Sequence, residues 1–115
     1  MACFTVPLAA AAAAGAARHS KTCRKSRNPF VSRLDWLAKM MLGGSFLLAI
    51  EHVWHGEVQF TFPFLTAVEE GPEAVSEMLR EMATRGVAMA VATVAAWACM
   101  VAAACTGARK AAAHV

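Results

Sequence analysis

The sequence predicts an all-α membrane protein: an antiparallel hairpin of two transmembrane helices, with a short amphipathic extramembrane helix and a disordered basic N-terminal tail. Hydrophobic residues make up 58% of the chain and charged residues only 17%, whereas about a quarter of the residues in soluble domains are charged. A chain of 115 residues is too small to bury that much apolar surface in a core of its own. The apolar residues also fall mainly in two stretches on either side of an acidic segment.

The N-terminal segment, residues 1–28, is rich in alanine and then basic, and we expect it to be disordered. Its apolar tract, residues 1–17, is shorter than the roughly 20 residues that a membrane crossing needs. The segment contains no acidic residue. A tail in the bacterial cytosol, an organelle transit peptide and a cleaved signal sequence are all compatible with this composition.

The first transmembrane helix is predicted over residues 29–56. Asn28 and Pro29 are typical of a helix start, as the N-cap and the first helical residue. The apolar part of this stretch measures about 32 Å as a helix, which is close to the thickness of the hydrocarbon core. Gly56 is a typical residue to end it.

Four further segments follow the first span. Residues 57–71 hold three phenylalanines around Pro63 and are predicted to form an irregular loop in the membrane interface. Residues 72–85 have the spacing of an amphipathic acidic helix, which lies at the membrane surface or extends the next span on its water side. Residues 86–107 contain no charged residue, so they are predicted to be the second transmembrane helix, and residues 108–115 form a short basic tail.

Charge is segregated along the chain. Residues 1–50 contain seven Lys or Arg and one acid, residues 51–85 contain seven Glu and two Arg, and Arg109 and Lys110 follow. The positive-inside rule therefore places both termini in the cytoplasm, most simply at a bacterial cytoplasmic membrane, with an organelle inner membrane as the alternative. The basic tail is expected to attract anionic lipid headgroups. Nucleic acid is not an expected partner, because no aromatic residues are interleaved with the basic ones.

Small residues predict how the two spans pack, since helices in lipid associate by close van der Waals contact. On the second span, small residues recur at alternating spacings of four and three, and on the first span Gly44 permits close backbone approach. The predicted packing residues are Gly44, Ala88, Ala92, Ala95 and Cys99. Trp97 and Val101 are predicted to lie on the opposite face, towards lipid or a partner.

One polar cluster lies at the outer end of the first span. Glu51, His52 and His55 are concentrated there, and Glu51 and His55 share a helix face. They are candidate metal ligands, because histidine and carboxylate are common ligands. The plainer interpretation is an interfacial belt in which His55 pairs with Glu51. A proton or cation relay centred on Glu51 is a third interpretation.

The sequence contains no motif of a known catalytic or cofactor-binding site, and its four cysteines lack metal-ligand spacing. We therefore predict a protein that is not an enzyme and has no cofactor. Its partners are the lipid bilayer and either further copies of itself or a larger membrane complex, in which it is a structural or interaction subunit. The alternative is an accessory subunit that binds a metal, a haem or a proton through Glu51, His52 and His55.

Overall fold

The computed structural model describes residues 2–114, apart from the side chain of Cys23. Over these residues the chain is helical, with one isolated β-bridge between Val58 and Leu65. It is elongated, with extents of 63 × 27 × 22 Å. The helices are α1 (Thr5–His19), α2 (Lys21–Arg24), α3 (Pro29–Ser32), α4 (Leu34–Trp54), α5 (Thr66–Glu70), α6 (Pro72–Glu81), a π-helical turn (Met82–Gly86) and α7 (Val87–Ala113).

The alanine-rich tract forms α1, so the predicted disorder is wrong for residues 5–19. The hydroxyl of Ser45 in α4 donates to the Phe4 carbonyl at 2.8 Å, while Ala11 and Ala14 pack farther along the bundle near Leu37. Helix α1 is therefore antiparallel to α4. Alanine has the highest helix propensity, but the burial against α4 and α7 comes from tertiary contacts that composition does not reveal.

The first predicted helix, over residues 29–56, is interrupted. Its start is confirmed, because the Asn28 side chain accepts a hydrogen bond from the Phe30 amide at 3.0 Å. The helix then leaves the α conformation at Arg33 (φ −111°, ψ 21°) and resumes as α4. The Arg33 carbonyl accepts a hydrogen bond from the Trp97 indole at 3.0 Å, so the break supplies the partner that a buried indole N–H requires.

The two helices predicted over residues 72–85 and 86–107 form one helical run of 42 residues, Pro72–Ala113. The π-helical turn joins α6 to α7 without ending the helix. Helix α7 continues to Ala113, so most of the predicted C-terminal tail is helical too. The sequence boundary at Gly86 was placed from a change in polarity, which does not by itself break a helix.

The core lies where α1, α4 and α7 meet. Val101 is fully buried and Trp97 is 8% exposed, and both pack with residues of the other two helices. These partners are Ala11, Ala14, Leu37 and Met41. The face of α7 that contacts the bundle is therefore the one that was predicted to face lipid or a partner, and the third helix α1 helps to cover it.

Within residues 2–114, one helix is long and apolar enough to cross a membrane, namely the run Pro72–Ala113. Only 11% of its most apolar segment is buried inside the chain. Helix α4 contains Asp35, Lys39 and Glu51, which leave it a shorter uncharged stretch. The two-span hairpin is therefore not confirmed, and a crossing by α4 stays a prediction.

Candidate functional site

A cavity of about 260 Å³ lies at the end of the bundle where α4 ends and the long helix begins its apolar part. We call it the acidic-end cavity. It is lined by Cys3, Leu48, Glu51, His52, His55, Glu57, Glu81, Arg85 and Met89. Three parts of the chain that are distant in sequence therefore meet at one polar opening.

The end of α4 shapes one wall of the cavity. Gly56 adopts a left-handed conformation (φ 72°), its amide donates to the Val53 carbonyl at 3.1 Å, and the Glu57 amide donates to the His52 carbonyl at 3.0 Å. These two bonds define a Schellman motif. The motif turns the chain back, and it brings Glu57 beside His52.

His52 is a buried titratable group, with 7% of its surface exposed. Its Nδ1 lies 2.7 Å from the Leu48 carbonyl, so Nδ1 is the donor in this hydrogen bond, because a carbonyl oxygen can only accept. Its Nε2 lies 3.6 Å from Oε2 of Glu57, and the Phe4 ring packs edge-on against it with 5.5 Å between centroids. His52 therefore connects the end of α4 to the start of α1 and to the loop.

Glu51 and His55 form the predicted pair, with 4.0 Å between Oε1 and Nε2. Their side chains are 59% and 63% exposed, so the pair lies at the rim of the cavity and faces solvent more than it faces α7. An exposed pair of this kind contributes at most about 0.5 kcal/mol to stability.

The three candidate metal ligands line one cavity without converging on one point. His52 is directed to Glu57, while His55 is directed to Glu51. Among the described residues, no three His, Cys, Asp or Glu side chains are close enough together to hold a metal ion.

The predicted packing residues are placed on the surface of the chain. Gly44, Ala88, Ala92, Ala95 and Cys99 are all exposed. A Cβ added at Gly44 would meet no atom within 4 Å. Close packing through these residues is therefore available only to a partner outside this chain.

Close backbone approach occurs instead at Gly86, which the sequence analysis did not single out. A Cβ there would lie 2.9 Å from Cγ2 of Val6 and 3.1 Å from the Cys3 carbonyl. The Cys3 thiol lies 3.9 Å from the Glu81 carbonyl. Gly86 and the buried Ser45 are small residues that contact the start of α1. The feature in the sequence that could have identified them is their small size inside otherwise apolar helices.

The cysteines show no pairing where their side chains are described: Cys3, Cys99 and Cys105 are free thiols. Cys3 is buried, whereas Cys99 is exposed. The side chain of Cys23 lies outside the described residues.

Comparison with protein-family models, with curated proteins and with solved structures finds no match to this chain.

Replacing Gly56 with alanine is expected to lower the free energy of unfolding by about 1–2 kcal/mol, because alanine resists the left-handed conformation. The effect is measured by circular dichroism during SDS titration in mixed micelles. Gly43→Ala is the matched control, since Gly43 lies inside α4 with no atom within 4 Å of its added Cβ. That control is expected to raise stability by up to about 1 kcal/mol. Equal effects of the two substitutions would contradict the Schellman assignment.

Proposed function

We propose that this chain is a small integral membrane protein that acts as a non-enzymatic structural or interaction subunit. The observation that supports it best is the long apolar helix, of which only 11% of the most apolar segment is buried within the chain. A helix with this composition requires a covering that the chain does not supply. Lipid and a partner helix are the two coverings available in a bilayer.

Helix α4 supports a bilayer environment although its charges shorten its apolar stretch. Its large side chains Leu42, Phe46 and Leu47 are 55%, 65% and 68% exposed. Soluble monomers rarely expose a continuous apolar surface of this kind. We therefore propose that α4 and α1 lie in the bilayer beside α7. Lys39 and Glu51 are about 18 Å apart along the helix axis, and their side chains extend towards its two boundaries.

The aromatic residues at the end of α4 and in the following loop support the placement of the acidic end, the end of the bundle that holds the acidic-end cavity, at a membrane interface. Trp54, Phe60 and Phe62 are 87%, 90% and 85% exposed. Tryptophan is enriched at headgroup depth because its ring is amphipathic, and the exposed phenylalanine rings are apolar surface that lipid can cover. This placement agrees with an interfacial loop over residues 57–71.

The proposed orientation keeps the C-terminus in the cytoplasm, because Arg109 and Lys110 follow the long helix. The position of the N-terminus changes, since α1 is antiparallel to α4 and residues 2–4 lie at the acidic end. We place the N-terminus across the bilayer from the C-terminus, in place of the predicted arrangement with both termini in the cytoplasm. The membrane remains a bacterial cytoplasmic membrane or an organelle inner membrane in this proposal.

The interaction role rests on the exposed small-residue face of α7. Ala88, Ala92, Ala95 and Cys99 point away from the bundle core. Small residues allow two helices in lipid to approach closely. The proposed partner of this face is a helix of a second copy or of a larger membrane complex.

Disulfide crosslinking at Cys99 tests this role in native membranes. The variant keeps Cys99 and replaces the other three cysteines with serine. We expect an oxidised dimer or one discrete heterologous adduct, because the partner helix lies within disulfide distance of this face. The matched control moves the thiol to Met100, which is about 100° around the helix at nearly the same depth.

The two cysteine positions give distinguishable results. Crosslinking at Cys99 and not in the Cys99→Ala/Met100→Cys control supports a helix partner on the small-residue face. A chain that resists carbonate extraction, crosslinks at neither position and purifies as a monomer without a partner would remove the interaction role and leave the membrane location. Extraction by carbonate would remove the membrane location as well.

The acidic-end cavity supports a second candidate, an accessory subunit that binds a proton, a metal or a haem. Glu51, His52 and His55 all line this cavity, although among the described residues no three such side chains are close enough together to hold a metal ion. Metal analysis and the visible spectrum of the purified protein test it. Binding that is lost in His52→Ala and retained in His19→Ala favours this candidate, and a metal-free, colourless protein opposes the metal and the haem.

A further inference from the structure

We propose that the basic end of the bundle is a composite binding surface for anionic phospholipid headgroups, built from two segments that are about 80 residues apart in the sequence. The first segment begins in the last turn of α1 and continues beyond it, and the second lies in the last turns of α7. This inference rests on the proposed membrane location and adds a ligand class and a site. The basic end is defined as Arg18, Lys21, Arg24, Lys25, Arg27, Arg109 and Lys110.

The antiparallel packing of α1 brings the first segment to this end. Helix α1 starts beside His52 near the end of α4, and it passes Leu37 and Trp97 in the core. Its last turn, which contains Arg18, therefore lies near the start of α4. Helix α2 follows directly. A disordered tail would have no such fixed position.

Contacts of Arg33 bring the second segment to the same end. Its guanidinium Nη1 lies 3.4 Å from the Val101 carbonyl and 3.7 Å from Sγ of Cys105. Arg109 is four residues beyond Cys105 on the same helix, which is about 6 Å along the axis. Helix α2 also contacts α3, and α3 contacts α7. The two basic segments therefore lie around one end of the bundle.

The charge at this end is not balanced by local acids. Asp35 is the one acidic residue before Glu51 in the sequence, and it lies 3.9 Å from Lys39. The side chains of Lys21, Arg24, Lys25, Arg27, Arg109 and Lys110 are exposed. Lys21, Arg24 and Lys25 also line one open depression of about 540 Å³ together with Thr22. Two types of cationic donor and a hydroxyl are thus available to a phosphate group.

Lipid is a better match to this surface than a soluble anion, because apolar surface adjoins it. Leu8 on α1 and Leu42 on α4 are 43% and 55% exposed. They line a groove between α1 and α4 that also includes Lys39. A phospholipid can contact the cations with its headgroup and this groove with its acyl chains, whereas inorganic phosphate can use the cations alone.

Retention of lipid by the purified full-length protein tests the proposal. The protein in dodecyl maltoside is mixed with phosphatidylglycerol or phosphatidylcholine, and bound lipid is counted by native mass spectrometry. We expect selective retention of phosphatidylglycerol. Arg109→Gln is expected to weaken it about fivefold, since one basic residue near an anionic surface is worth about 1 kcal/mol. Lys21→Gln/Arg24→Gln/Lys25→Gln is expected to weaken it by more than tenfold.

Arg80→Gln is the matched control, because it removes one exposed cation from the opposite end of the molecule. Unchanged binding by this control, together with weaker binding by Arg109→Gln, supports the composite surface. Equal losses in Arg80→Gln and Arg109→Gln would indicate net charge alone and overturn it. Equal retention of both lipids also overturns it. So does displacement of bound phosphatidylglycerol by millimolar inorganic phosphate as effectively as by added phosphatidylglycerol. Resistance to carbonate extraction in those cases would leave the proposed membrane location standing.

Discussion

Replacing Trp97 with alanine is expected to lower the free energy of unfolding by about 3–5 kcal/mol, the range for removal of a large buried aromatic side chain. Trp97 is 8% exposed, its indole donates to the Arg33 carbonyl at 3.0 Å, and its ring packs edge-on against Phe30 with 5.8 Å between centroids. The substitution removes contacts to two other helices and leaves a cavity between them. Circular dichroism during SDS titration in mixed micelles measures the loss.

Trp54→Ala is the matched control for Trp97→Ala. Trp54 is 87% exposed at the end of α4, so its removal is expected to change stability by less than about 0.5 kcal/mol. Trp97→Phe keeps most of the ring and loses the indole hydrogen bond, which is worth about 1 kcal/mol. A loss for Trp97→Ala no larger than that for Trp54→Ala would mean that Trp97 lies outside the core and faces lipid or a partner, as the sequence predicted.

Local features were predictable because their causes lie within a few residues. Asn28 caps a helix because its side-chain oxygen reaches the Phe30 amide two residues away. Gly56 ends α4 because glycine adopts the left-handed conformation at little cost. The pairing of Glu51 with His55 follows from their spacing on one helix. None of these contacts depends on how the helices are arranged.

The arrangement of the helices was not predictable, because it depends on α1. The tract that forms it is too short for a span and was interpreted as a disordered tail. The small-residue face of α7 was assigned to the contact between the two spans, so Trp97 and Val101, on the opposite face, were predicted to contact lipid or a partner. With α1 present, the two residues become the core. One omitted helix therefore reversed the predicted orientation of α7.

In the candidate site too, contacts within a few residues were predictable and contacts that depend on helix packing were not. The sequence identified Glu51, His52 and His55, and the structure places all three on one cavity. The sequence did not identify Cys3 as part of the site, because a residue at the start of the chain reaches the cavity only through the packing of α1. It also did not reveal that His52 turns to Glu57, since the chain reversal at Gly56 determines that contact.

Replacing Gly86 with leucine is expected to release the start of α1 from the long helix. An added Cβ would lie 2.9 Å from a methyl carbon of Val6 and 3.1 Å from the Cys3 carbonyl, and the longer side chain would require α1 to move. Overpacking of this kind costs about 1–3 kcal/mol. Helix propensity acts in the opposite direction, because leucine is favoured over glycine by nearly 1 kcal/mol. The sign of the measured effect therefore shows which contribution is larger.

The matched control is Gly107→Leu, at a helical glycine of α7 with no atom within 4 Å of its added Cβ. Only the helix propensity changes at this position, so the free energy of unfolding is expected to rise. Maleimide labelling of Cys3 gives a direct measure of α1 release, in protein whose other cysteines are replaced by serine. Cys3 is 6% exposed, and its labelling is expected to accelerate about tenfold in Gly86→Leu, because a cost of that size raises the open population by about that factor. Unchanged labelling in both variants would mean that the start of α1 does not pack against Gly86.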